Sequence, residues 1–397
     1  MTSAVRAPTV LVSAGDASGD PYAAAVVRAL RARRGDLHFA GLGGEAMRAA
    51  GVELAVHQRE VAIGGLVEVA AGALRLARAW RALGRVVRRA RPALALLVDT
   101  ADWNLRLAGA LARAGVPVLY YVLPQVWAWR SGRARVLARR CARLAVILPF
   151  ERDVWRGHGV DVAFVGHPLV DEVASLDPGA GPALRRALGI AADARVVALL
   201  PGSRRNELAY QLPLQLAALR ALASRVPRVE ALLPVAPSLD AARVRARLAR
   251  HAHGAPRVHV VERADGAPPA SHAALAACDA VLAKPGTATL EAALLDRPIV
   301  VAGRGHALSA ALARRLVRVD AWALPNLVDG SRFVPELLQE DARPEAIASA
   351  LAPLLDASPE REAQRAGLRR VRDALGGGGA AERVADIAED MLGAARA

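Results

Sequence analysis

Asp99 and Asp102, in LLVDTADWN (96–104), stand at the end of a short apolar run and three residues beyond it. An acid at the carboxyl end of a strand can take a proton from an attacking hydroxyl, help worth about 10²–10⁴ in rate. Asp is also common at helix starts, where it caps or makes buried hydrogen bonds. Asp102 has the better position to cap a helix from Trp103, which leaves Asp99 to face a ligand. In SAGDASGD (13–20), Gly15 and Gly19 permit a tight strand-to-helix turn, and Ser18 or Asp20 can cap the helix after it. A plain turn reads the same way. Two acids here suit hydrogen bonds to a sugar better than a bare phosphate cradle.

Two further strings suit phosphate. LLPGSRRNEL (199–208) ends a strand in Gly202 and Ser203 and sets Arg204 and Arg205 before a helix. Glycine lets backbone approach a phosphate, helix N–H groups point at it, and Arg adds a charge-assisted fork. The Gly-Lys-Ser/Thr of NTPase phosphate loops is absent. KPGTATLE (284–291) repeats the pattern with Gly286, with Thr287 as the expected cap, and with Glu291 about one turn on, in reach of ribose hydroxyls. Its Lys284 is the only lysine in the chain. Glycine plus a cap is also a routine helix start, but two such loops in one half favour a nucleotide diphosphate.

YYVLPQVWAWR (120–130) concentrates aromatics in a chain with 6 Trp and 4 Tyr. Trp127 and Trp129 are core candidates, although their alternation in a loop exposes one ring to a sugar or acyl chain. His167, in FVGHPLVD, reads best as a hydrogen-bonded residue at a hinge. Over 60–91 an apolar, glycine-loosened start leads into a helix with Arg75, Arg78, Arg81, Arg85 and Arg89 at spacings of three and four. Leu66, Val67, Leu76, Trp80 and Leu83 supply its apolar side. Such a helix packs on its own sheet or lies in the interface of an anionic membrane.

The elements that must position these groups repeat as strand, then amphipathic helix. TVLVSAG, LHFAGLGG, ALALLVDTA, PVLYYV, LAVILPF and VAFVGHP precede the Pro/Gly-rich DPGAGP at 177–182; RVVALLPGS, VEALLPVA, VHVVE, AVLAKPG and PIVVAG come after it. Near-continuous apolar strands alternating with helices predict an α/β fold of two doubly wound parallel sheets. We expect domains over 1–172 and 173–375, and a C-terminal helix over 376–397 after a GGGG hinge, with a return to the first domain open to it. The 397 residues suffice for two cores. No apolar run reaches the roughly 18 residues of a membrane span, and MTSAVRAPTVLVSAG enters a strand without a separate signal core, so a cytoplasmic protein is expected. Cys141 and Cys278 match no metal or redox spacing. A net charge of +15 favours phosphate-rich partners. The basic residues are scattered over helices without a nucleic-acid motif, so nucleic acid is not expected among them.

Taken in order, SAGDASGD, GLGG with Met47 and Gly51, IGGLVEV, LLVDTADWN, YYVLPQVWAWR, LPFE, FVGHPLVD, LLPGSRRNEL, GTATLEAALLDRPIVV and LPNLV with PELLQED resemble the lipid-A-disaccharide synthase family over nearly the whole chain. The resemblance implies a GT-B glycosyltransferase: two Rossmann-like domains with a cleft between them and the UDP site in the second. It implies that UDP-2,3-diacylglucosamine and 2,3-diacylglucosamine 1-phosphate give the β(1→6) disaccharide 1-phosphate and UDP. No metal or cofactor, a peripheral place on the anionic cytoplasmic face of the inner membrane, and a homodimer are also implied. On matching positions Asp99 is the general base, Arg204 and Arg205 contact phosphate, and Gly286, Thr287 and Glu291 start the nucleotide helix. Asn326 of LPN borders the cleft, and Ser18, Asp20, Trp127 and Trp129 fall to the sugar and acceptor. Asp16 stands where the family leads us to expect Glu, and Lys284-Pro285 where it leads us to expect small residues. Rivals of the same fold are an undecaprenyl-linked GlcNAc transferase, whose GGH turn is missing, and a UDP-sugar 2-epimerase, which leaves 60–91 unexplained.

Overall fold

The computed structural model describes residues 7–61, 69–129, 131–264, 267–305 and 319–394. They divide into two compact units: the chain up to Pro168 with the stretch from Gly377, and Leu169–Gly376. The first division falls slightly earlier than the composition suggests, because the helix Leu169–Ala174 packs on the helix Ala288–Leu294 of the second unit.

In the first unit β1 (Thr9–Ser13), β2 (His38–Gly43), β3 (Glu53–His57), β4 (Leu94–Val98), β5 (Val118–Tyr121), β6 (Arg143–Val146) and β7 (Asp161–Phe164) form one sheet. Its order is β3-β2-β1-β4-β5-β6-β7, and every pair is parallel. The two central strands are buried on both faces, which is why TVLVS and LALLV carry no polar alternation. Side chains still alternate between faces. Val10, Val12, Leu94, Leu96 and Val98 join a core with Val26, Val27 and Leu30 of α1 (Gly19–Arg33). Leu11, Ala95 and Leu97 face the other core, with Ala79 and Leu83 of α3 (Val69–Ala90) and Leu107 and Leu111 of α4 (Ala101–Arg113). The short α2 (Glu45–Ala49) comes after β2. The helix Ala380–Ala394 lies on α1 and puts Val384, Ala385, Ala388, Met391 and Leu392 into the first of these cores.

The second unit repeats the plan. β8 (Arg195–Leu200), β9 (Val229–Pro234), β10 (Val258–Val261), β11 (Ala280–Ala283), β12 (Ile299–Gly303) and β13 (Glu336–Leu338) run in the order β10-β9-β8-β11-β12-β13, again all parallel. The edge strands β3 and β13 are the two that the apolar runs do not announce; β3 is exposed along one side, and β13 has only three residues. In doubly wound sheets ligands bind beyond the strand ends where the order reverses. Those reversals lie between β1 and β4 and between β8 and β11, so they select the loops of SAGDASGD and LLVDTADWN in one unit and of LLPGSRR and KPGTATLE in the other.

Candidate functional site

At the end of β4, Asp99 and Thr100 both take left-handed backbone, with φ of 53° and 48°. That conformation is uncommon for residues other than glycine and costs on the order of 1–3 kcal/mol each. Neighbouring groups hold it. The Asp99 carbonyl accepts from Tyr120 Oη at 2.7 Å and from Asn104 Nδ2 at 2.9 Å. Buried Asn104 also donates to the Val98 carbonyl and accepts from Ser13 Oγ. Thr100 Oγ1 accepts from Gly15 N–H at 2.8 Å, and a Cβ on Gly15 would come within 2.7 Å of the Thr100 methyl, so glycine is needed there. The half-exposed Asp99 carboxylate receives Ser18 Oγ at 2.9 Å on one oxygen and the Thr100 N–H at 2.8 Å on the other. The strand-end acid is thereby fixed beside the first turn, with room left to accept a proton. Burial, then the Asp99 charge, push the Tyr120 phenol well above its usual range, which keeps it a donor.

Several expected roles change. Ser18 does not cap α1, since its hydroxyl goes to Asp99. Asp20 is buried and receives the N–H groups of Gly44, Ala46 and Met47, so it ties down the start of α2 and cannot meet a sugar. Asp102 is not the cap of α4: Thr100 precedes that helix, and Asp102 is exposed and paired with Arg133 at 2.5 Å. Trp127 is partly buried, edge-on to Phe150 at 5.1 Å, with its indole N–H on Glu151. Trp129 is the exposed ring, 43% accessible, with the Arg133 guanidinium 5.9 Å above it. His167 is buried next to the unit boundary, and burial pulls its imidazole down to about 4. Leu83 is buried in the core and has no membrane face, while Leu76 is half-buried and Trp80 is 37% exposed. Leu66 and Val67 lie outside the described residues. The six arginines of α3, Arg88 among them, are all exposed, and Leu74, not singled out from the sequence, is 63% exposed beside them.

In the second unit both loops line one cavity of about 400 Å³. Gly202, Ser203, Arg204 and Glu207 form one side, and Lys284, Gly286, Thr287 and Glu291 the other. Gly202 has φ of 113°, and a Cβ there would collide with Glu207 and Lys284. The backbone donors expected to cradle phosphate are already used: Ser203 N–H and Arg204 N–H donate to Glu207 Oε2 at 3.0 and 3.2 Å. The loop therefore offers an anion the Arg204 guanidinium, whose side chain is 80% exposed, rather than its amides. Lys284 Nζ donates to the Pro285 carbonyl at 2.7 Å and stands 3.5 Å from Glu207. Thr287 makes no side-chain cap on the helix Ala288–Leu294, whose Thr289 and Leu290 N–H groups donate instead to the Gly286 and Thr287 carbonyls.

Glu291 Oε2 is buried and has no hydrogen-bond partner among the described residues, although His272 Nε2 lies 3.4 Å away. Glu172 faces the same pair, and its own burial raises its carboxyl above the ordinary range. Two expected nucleotide residues stand elsewhere. Arg205 lines a separate space of about 250 Å³ with Arg243, Arg247 and Arg250. Asn326 is buried with its amide fully used: Nδ2 donates to the Val334 carbonyl and Glu336, and Oδ1 receives the N–H groups of Phe333 and Val334. It holds a loop and does not line the cavity.

Two all-parallel units with ligand-facing loops at each reversal define the GT-B class. Solved structures of this kind match along the whole length. The calicheamicin glycosyltransferase CalG4 is 18% identical with a TM-score of 0.56, covering 98% of this chain and 99% of that one. The UDP-GlcNAc 2-epimerase of Neisseria meningitidis is 12% identical with a TM-score of 0.59, covering 97% and 98%. At such identities the likeness is one of fold. The lipid-A-disaccharide synthetase family model matches residues 10–386. The lipid-A-disaccharide synthase of Anaeromyxobacter sp. (strain K) is 43% identical over 387 residues, 98% of this chain and 97% of that protein. The chain belongs to the lipid-A-disaccharide synthetase family and is a glycosyltransferase. The epimerase alternative is left with a likeness of fold alone.

Proposed function

We propose that the enzyme transfers 2,3-diacylglucosamine from UDP-2,3-diacylglucosamine to 2,3-diacylglucosamine 1-phosphate with inversion, giving the β(1→6) disaccharide 1-phosphate and UDP. The observation that carries the reading is the cavity at the β8/β11 reversal, where Arg204, Lys284 and the Gly286–Ala288 turn line the same space as Glu291. A diphosphate suits the first three, and the Glu291 carboxylate in the cavity wall suits a ribose hydroxyl. Asp99 takes the proton of the acceptor's 6-hydroxyl as that oxygen attacks the anomeric carbon, and Ser18 orients the carboxylate. The leaving diphosphate keeps the bonding electrons, and the two cationic side chains stabilise its charge without a metal. Trp129 offers an exposed ring to a sugar or acyl chain.

Both substrates carry acyl chains, so the reading places the enzyme at the anionic cytoplasmic face of the inner membrane. The exposed arginines of α3 with Leu74 and Trp80 suit that surface. No helix among the described residues is long and apolar enough to cross a membrane. A homodimer completes the reading. The test is UDP release from UDP-diacylglucosamine in the presence of EDTA. Release that requires the glycolipid acceptor, with a β-linked product by NMR, supports the proposal; release without acceptor, or epimerised donor, refutes it.

A further inference from the structure

Beside Asp99 lies a space to which the proposed reaction assigns no group. It occupies about 660 Å³ between α3 and α4, within the roughly 300–1,000 Å³ typical of ligand sites. Val61, Leu76, Ala77, Trp80 and Trp103 supply apolar walls, and Thr100 and Ala101 close the end next to the carboxylate. The Trp80 and Trp103 rings meet edge-on, with centroids 5.4 Å apart. Trp103 Nε1 is buried and has no hydrogen-bond partner among the described residues. Polar groups gather at the rim. Asp16 and Asp102 line it, as do the exposed Arg81 and Arg106, which form no ion pair among the described residues, whereas Asp102 is held by Arg133.

We propose that this space is the slot for one acyl chain of the acceptor glycolipid, and that Arg81 and Arg106 meet the acceptor's phosphate at its rim. The inference rests on the transfer reaction proposed above. A sugar ring would leave its hydroxyls facing Val61, Leu76, Ala77 and the ring carbons of the indoles, whereas a hydrocarbon chain matches those walls. The donor's phosphates have their cations in the second unit, so the two arginines at this rim fit the acceptor's monophosphate. A chain seated from Thr100 outward sets its sugar next to Asp99. The slot then positions the nucleophile, and it makes acyl length a determinant of rate.

The experiment compares acceptors whose chains are shortened by two and by four methylenes, at saturating donor in fixed detergent. With the parent, kcat/KM falls about fourfold per methylene lost, the worth of burying one CH2. Ala77→Phe fills the slot, and the long-to-short ratio of kcat/KM falls at least tenfold. Leu76→Ala enlarges it, and the preferred length moves upward. These opposite directions separate slot filling from damage to the fold. A parent-like ratio in both variants overturns the slot. If vesicle sedimentation drops while the ratio stays put, these side chains meet the bilayer and the proposal is wrong. A parent that transfers with no dependence on chain length removes the slot alone; a parent that transfers nothing removes the proposed function with it.

Discussion

Glu151 can be tested through the pH dependence of stability. Its carboxylate is buried, with Ile147 and Leu148 N–H groups on Oε2 and the Trp127 indole N–H on Oε1. Burial outweighs those hydrogen bonds and pushes the acid from 4.5 to about 7. The folded protein therefore holds this proton up to about pH 7, while the unfolded chain releases it near 4.5. The stabilisation linked to it is fully present below pH 4.5 and is lost as pH rises through 7. At about 1.4 kcal/mol per pH unit the loss amounts to about 3 kcal/mol. Glu151→Gln removes the titration but turns one former acceptor into a donor facing Trp127, at a cost of about 0.5–1.5 kcal/mol. The variant should be the less stable protein at pH 4 and the more stable at pH 8. Urea unfolding followed by tryptophan emission reads this directly, because Trp80, Trp103, Trp127, Trp129 and Trp155 all belong to the first unit. Stability curves of parent and variant that run parallel between pH 5 and 8 would refute the reasoning.

Asp99→Asn preserves a side chain able to bond Ser18 and should melt like the parent while turnover falls by about 10² or more; near-normal turnover removes Asp99 from the chemistry. Arg204→Ala should weaken UDP binding by about 1.5–3 kcal/mol in calorimetry, since it deletes a charged donor whose removal leaves the loop's Glu207 bonds in place; unchanged affinity places the diphosphate elsewhere. Adding Leu74→Ser to Arg78→Glu and Arg85→Glu should release the protein from anionic vesicles at moderate salt, each arginine being worth about 1 kcal/mol near the surface; persistent sedimentation moves the docking surface off α3.

Strand and loop order were legible because both sheets are buried on two faces and each chemical string sits at a strand end. Less legible were the partners that claim a polar group. Asp20 looks like a sugar ligand from its neighbours, but the amides that use it lie 24 to 27 residues on, after β2. Glu207 reads as an ordinary first-turn acid, and only its carboxylate on Ser203 and Arg204 reveals that the loop's amides are occupied. Asn326 fits a cleft motif until its four bonds are counted. Trp80 and Leu83, three residues apart on α3, share the apolar side of a helix drawn from sequence, yet Leu83 is buried and Trp80 is exposed. An apolar stripe gives the side of a helix that seeks cover, not how far along its width the cover extends.

The first unit's core includes Val384, Ala385, Ala388, Met391 and Leu392, which are separated from α1 by the whole of the second unit. During synthesis, Leu169–Gly376 emerges as one uninterrupted stretch and can complete its sheet on the way out. The earlier-made first unit keeps one face of α1 uncovered until the helix Ala380–Ala394 has been translated. The second unit is thus free to mature before the first. A ribosome stalled after residue 376 would hold a nascent chain with an open apolar seam, a natural target for chaperones.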